Sequence, residues 1–199
     1  MNVAVVDLGL GNLGSVMQAL RRAGGDPALV ADPVAVARAP RVVMPGVAAF
    51  GLGMERAAPF RSALKDALAR QAPVLGICLG MQLLFEEGEE DGLREGLGLL
   101  PGRVTRLPRG VQAPHIGWQK LVPVSAGALQ PHGWAYFAHS YRCEAPDEVV
   151  QAVAEHGPVR IAAAVGRATL FGVQYHPEKS AQDGEDLLRR FLALPAGAA

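Results

Sequence analysis

The chain has 199 residues and a mass of 20.9 kDa, with half its residues apolar and 19% charged, a composition that can bury a core and excludes a disordered chain. Nineteen basic against 19 acidic residues give zero net charge, which leaves no electrostatic case for nucleic acid. No stretch approaches the ~18 consecutive apolar residues of a membrane span, and two cysteines without ligand spacing suggest neither a disulfide framework nor a metal site. A cytoplasmic chain of one domain, residues 1–199, without metal or cofactor, is the expectation.

In chain order, Val3 to Val6 reads as a buried strand rather than a leader peptide, followed by the turn Gly9-Leu10-Gly11-Asn12. Leu13, Val16, Met17 and Leu20 recur at helical spacing, and Gly24-Gly25 ends that helix. Arg41 to Met44 is a second strand, broken by Pro45-Gly46, and Phe60, Leu64, Ala67 and Leu68 mark a second helix. Pro73 to Ile77 is a third strand with a helix, Leu79 to Glu86, directly behind it. Alternating apolar strands and helices predict a parallel sheet covered on both faces.

The second half changes character. Arg103–Leu107, Trp118–Val122, Trp134–Cys143, Val149–Glu155, Val159–Val165 and Thr169–Tyr175 are all strand-like, which predicts an antiparallel extension of a mixed sheet. Leu187, Leu188, Phe191 and Leu192 form a closing helix stopped by Pro195, before the low-complexity tail 196–199. The fold class is α/β.

Gly76-Ile77-Cys78-Leu79-Gly80 has the form of a nucleophile elbow: a strand, a tight turn and a helix. Glycines fit beside such a turn because they carry no Cβ, and the turn presents the side chain at its tip. The plainer alternative is a cysteine packed as a small hydrophobe. A cysteine nucleophile needs a base, and the base an orienter. His176-Pro177-Glu178 offers both, because in extended backbone residues two apart face one side and Pro177 restricts His176 to extended conformations; the alternative is a solvent-exposed turn. A backbone amide in the Pro45-to-Phe50 turn and the amide of Leu79 are candidates for an oxyanion hole. His115, His132, His139 and His156 are isolated from one another along the chain, and Cys143 reads as packing. The acidic run Glu86–Asp91 is either a solvated face or a site for a substrate ammonium group.

Gly76-Ile77-Cys78-Leu79-Gly80-Met81-Gln82 together with His176-Pro177-Glu178 resembles the class I, or triad, glutamine amidotransferases. The segments Asp7–Leu13, Pro45-Gly46-Val47, Pro114–Trp118, Tyr136–Tyr141 and His176–Ser180 narrow the resemblance, over essentially the whole chain, to the glutaminase subunits of imidazole glycerol phosphate synthases. The resemblance implies a flavodoxin-like three-layer fold with a mixed, mostly parallel sheet. It implies glutamine hydrolysis by Cys78, His176 and Glu178, with an oxyanion hole from the Val47 and Leu79 amides. Gly46, Gln82, Glu90, Ser140 and Tyr141 would surround the glutamine. Asn12, Trp118, Tyr136 and Lys179 would face a (β/α)8-barrel cyclase that receives the ammonia in a heterodimer. Ala48 stands where the family usually has a second glycine, a change expected to tune the loop rather than silence it. A glutaminase serving another synthase, a free-standing cysteine hydrolase and a non-catalytic module with this fold remain as rival readings.

Overall fold

The computed structural model describes residues 1–196; the last residues of the tail, 197–199, lie outside the described residues. The first half comprises β1 (Asn2–Val6), α1 (Leu13–Arg22), β2 (Asp26–Val30), α2 (Pro33–Arg38), β3 (Val42–Gly46), α3 (Phe50–Ala57), α4 (Arg61–Ala69), β4 (Val74–Cys78) and α5 (Leu79–Leu83). Short strands β5 (Glu87–Gly88), β6 (Arg94–Glu95) and β7 (Arg103–Arg106) follow, then β8 (His115–Pro123), β9 (Gly133–His139) and β10 (Tyr141–Glu144). The chain closes with β11 (Val150–His156), β12 (Val159–Arg167), β13 (Leu170–Val173) and α6 (Ala181–Ala193).

The main sheet has the order β2-β1-β3-β4-β13-β12-β11-β8-β9. Its first five strands are parallel and each later pairing is antiparallel, which is the mixed sheet with an antiparallel extension that the sequence predicts. Alternation along the strands divides the core. Ala4, Val6, Val42 and Met44 point into one apolar cluster with residues of α2 to α5, whereas Val3, Val5, Val43 and Leu75 point into another with α1 and α6. The sheet is therefore sandwiched between two helical layers. A second, four-stranded sheet, β10-β7-β5-β6, packs beside it.

Several elements differ from the sequence reading. The sequence reading names no element over β2, α2 or α3. β2 is an edge strand with one buried residue, Ala28's neighbour Pro27, so it lacks an apolar run. The helix α2 is short, but Asp32 caps it by accepting from Val34 N and Ala35 N, with Pro33 at its first position. Two glycines and no side-chain cap hide α3. Pro45-Gly46 does not break β3: beyond Val43 the strand is in register with β4 alone, so the missing N–H of Pro45 deprives no second neighbour. The elbow helix stops at Leu83 instead of Glu86 because the 96–100 segment takes its last carbonyls, through Leu97 N to Leu83 O and Leu99 N to Leu84 O. The run Trp134–Cys143 is two strands that part at Ser140, where the chain leaves the main sheet for the small one.

Candidate active site

The parallel register of β4 and β13, with Ile77 level with Val173, carries Cys78 and the segment after Val173 to the same edge of the sheet. Cys78 ends β4 with φ 53° and ψ −111°, a conformation costing a non-glycine residue ~1–3 kcal/mol. Glycines make that turn possible. A Cβ on Gly80 would lie 1.7 Å from the Met44 carbonyl oxygen, and one on Gly76 would lie 2.6 Å from the Gly80 carbonyl oxygen. The elbow expected from the sequence is present, although its tip is buried: Cys78 is only 5% exposed.

His176 leaves β13 with φ −101° and ψ 94°, extended as Pro177 requires. The following Pro177–Lys179 is a single 3₁₀ turn, so His176 and Glu178 meet across a turn and not along extended backbone. The His176 Nδ1 atom lies 2.8 Å from Glu178 Oε1, and both side chains are buried. Burial lowers the affinity of His176 for a proton, but Cys78 and Glu178 outweigh it and raise the pKa to about 10. At neutral pH His176 is therefore an imidazolium. Its Nε2 makes no formed hydrogen bond among the described residues, though Cys78 is close enough to act on it electrostatically. The turn is anchored to β9 by His176 N to Tyr136 O (2.9 Å), and by Ser180 Oγ, which donates to His176 O and accepts from Tyr136 N.

A cavity of about 270 Å³ opens at Cys78, lined also by Val47, Leu79, Gln82, Glu90, Ser140 and Tyr141. That volume lies just below the ~300–1,000 Å³ of clefts for larger ligands, and so suits a small metabolite. Gly46 is buried in β3 and opens instead to a smaller cavity lined by Asn12, Val47, His176, Glu178 and Lys179. The turn expected from Pro45 to Phe50 shrinks to Val47–Ala49, with Val47 and Ala48 exposed. Glu90 does more than line the cavity: its Oε2 accepts from Phe50 N at 2.6 Å, at the start of α3. Glu86 likewise accepts from Gly102 N, and Glu89 from Arg106 N. The acidic run is thus largely exposed, as a solvated face would be, and three of its carboxylates also accept from backbone amides. Asn12 accepts from Ser15 N. Trp118 meets Tyr136 edge-to-face with ring centroids 6.0 Å apart, and the Lys179 ammonium lies over the Tyr136 ring at 5.8 Å.

Three histidines that the sequence leaves isolated are brought together. His115 stacks on His156 at 4.0 Å and on Phe137 at 4.9 Å, and its Nδ1 lies 3.0 Å from His139 Nε2. Burial first, then His156, lowers His115 to about 4; burial dominates in lowering His139 to about 3. Both are neutral at pH 7. No group of three His, Cys, Asp or Glu among the described residues has a metal-holding arrangement. Because the unfolded chain binds protons at these sites near pH 6.5 and the folded chain refuses them, stability is expected to fall as pH drops from there through 4 towards 3. Urea unfolding midpoints across that range should decline, and His115→Phe, which keeps the stacking but cannot titrate, should decline less steeply. Parallel profiles would contradict this reading.

Sequence reasoning missed Gln174, which is fully buried beside the elbow. The register offers the signal: continuing one residue past the Ile77–Val173 pair sets Gln174 level with Cys78.

The glutamine amidotransferase class-I family profile matches residues 4–194. The imidazole glycerol phosphate synthase subunit HisH of Symbiobacterium thermophilum is 48% identical over 194 residues, covering 94% of this chain and 91% of its own. The HisH subunit of Halobacterium salinarum is 45% identical, covering 96% and 92%. Among solved structures, a glutamine amidotransferase superposes with a TM-score of 0.74 at 20% identity, covering 96% of both chains. The glutaminase domain of Trypanosoma brucei CTPS, solved with bound acivicin, gives 0.69 at 17% identity, covering 97% of this chain and 92% of its own. The fold and the site define a class I glutamine amidotransferase, and at this level of identity the chain belongs, within that family, to the HisH subunits of imidazole glycerol phosphate synthase.

Proposed function

We propose that the chain hydrolyses glutamine to glutamate and ammonia and hands the ammonia to a (β/α)8-barrel cyclase subunit, for the synthesis of imidazole glycerol phosphate and aminoimidazole carboxamide ribotide in histidine biosynthesis. The observation that carries the reading is a strained Cys78 that opens to a small cavity and acts electrostatically on the buried His176–Glu178 pair beside it. With the His176 imidazole holding a proton for the leaving group, the Cys78 sulfur attacks the side-chain amide carbon of glutamine. The tetrahedral oxyanion falls to the amides of Val47 and Leu79. His176 protonates the leaving nitrogen, the C–N bond breaks, and a γ-glutamyl thioester remains. Water then gives a proton to His176 as it adds to the thioester, releasing glutamate and restoring the sulfur. Glu178 holds the imidazole in orientation through Nδ1.

In this reading Gln82, Glu90, Ser140 and Tyr141 hold the glutamine, with Gly46 shaping the wall beside the oxyanion loop. Asn12, Trp118, Tyr136 and Lys179 form the face toward the cyclase, with Asn12 and Lys179 lining the smaller cavity beside His176. Partially exposed tryptophan and a cation stacked on tyrosine are the side chains that interfaces favour. Trapping tests the assignment. A diazo-ketone analogue of glutamine is expected to alkylate the Cys78 peptide, with protection by glutamine and no adduct on buried Cys143. Adducts on Cys143 alone, or no protection, would refute it.

A further inference from the structure

Behind the cavity runs a chain of hydrogen bonds whose polarity is set at one atom. The Tyr141 carbonyl oxygen can only accept. It receives His139 Nδ1 at 2.8 Å and Gln82 Nε2 at 3.1 Å, one bond for each lone pair. The first bond makes Nδ1 the protonated nitrogen of neutral His139, so its Nε2 accepts from His115 Nδ1. The second turns the Gln82 amide so that its NH₂ faces the protein. That NH₂ reaches the Gln174 side-chain oxygen, also at 3.1 Å. With its oxygen so engaged, Gln174 must present its own NH₂ on the opposite side, where Nε2 lies 3.9 Å from the Cys78 sulfur. The buried Cys143 thiol, 4.0 Å from the same Gln174 oxygen, adds a donor of the matching sense. Each bond in the series fixes the next.

We infer that Gln174 is a positioning residue for the nucleophile, a neutral N–H donor held toward the Cys78 sulfur, its orientation dictated by Gln82 and the Tyr141 carbonyl. A fully buried amide with both ends engaged is costly to desolvate unless every bond is made, and here the bonds terminate on the reacting atom. The arrangement complements the imidazolium: the amide never takes a proton from the sulfur, so it stays a donor in every step and acts most strongly when the sulfur carries charge. It also ties the sulfur to the substrate cavity, because Gln82 stands in the cavity wall.

This inference deepens the proposed glutaminase reading, and its test separates the two. Gln174→Met keeps size and burial but removes the donor; Gln174→Glu keeps shape and replaces the donor with an acceptor. The second-order rate of Cys78 alkylation by iodoacetamide, read on the Cys78 peptide by mass spectrometry, needs no glutamine and no turnover. Both variants are expected to alkylate more slowly by about tenfold, the worth of one hydrogen bond to a charged group, with Gln174→Glu the slower, while melting curves confirm that each is folded. Folded variants alkylating at the wild-type rate would overturn the inference and leave Gln174 as packing. If the wild-type chain fails to release glutamate in complex with a cyclase yet the alkylation difference persists, the glutaminase reading falls and the inference about the sulfur stands.

Discussion

Replacing Cys78 with alanine is expected to lower glutamate release by roughly four or more orders of magnitude, the loss seen when the nucleophile of a covalent mechanism is removed. The fold should survive. Alanine occupies the same φ of 53° with the same strain, so the melting temperature moves little. Cys78→Gly should be equally inactive but more stable than Cys78→Ala by ~1 kcal/mol, because glycine relieves the positive φ. The complementary expectation concerns the complex: with the cyclase subunit present, added ammonium salt should restore product formation in Cys78→Ala, since the missing chemistry is only the generation of ammonia. Residual glutamine-dependent turnover within a hundredfold of wild type would mean that another group is the nucleophile.

Gly80→Ala is expected to be the most damaging added methyl at any glycine among the described residues. Its Cβ would stand 1.7 Å from the Met44 carbonyl oxygen, a backbone atom of β3, between β1 and β4. No side-chain rotation relieves that clash; the elbow and the strand must separate. A loss of at least ~3 kcal/mol follows, corresponding to a melting temperature lowered by about 6–12 °C for a chain of this size. Gly14→Ala makes the informative comparison. Outside its own helical backbone and among the described residues, the one heavy atom within 4 Å of its Cβ is Asn12 Oδ1 at 3.8 Å, and a glycine inside a helix costs up to ~1 kcal/mol relative to alanine. The same substitution should therefore stabilise α1 while it disrupts the elbow. Equal melting temperatures for the two variants would contradict this account of the turn.

The elbow was legible because its requirements are local. An apolar strand, two glycines around a cysteine and a helical run within a dozen residues leave few other solutions. The His176–Glu178 pair was legible as a pairing but not in its geometry, since extended backbone and a 3₁₀ turn both bring residues i and i+2 together. Features set by distant partners stayed hidden. The pairing of His115 with His139 and His156 depends on three antiparallel strands, β8, β9 and β11, lying side by side. The capping by Glu86, Glu89 and Glu90 depends on amides from residues 50, 102 and 106. Gln174 is a polar residue at the end of an apolar strand, and only the register of β13 against β4 reveals what it faces. Edge strand β2 and the short helices α2 and α3 gave weak periodicity, although the Asp32-Pro33 cap was a readable start signal.

The measurement that bears most directly on the central proposal is glutamate release from glutamine by the purified chain, alone and then with a barrel cyclase subunit and its nucleotide ligand. Strong stimulation by the partner, absent in Cys78→Ala, is the predicted result. Equal release with and without the cyclase would contradict the coupling of this site to that partner, and no release under either condition would contradict the glutaminase itself.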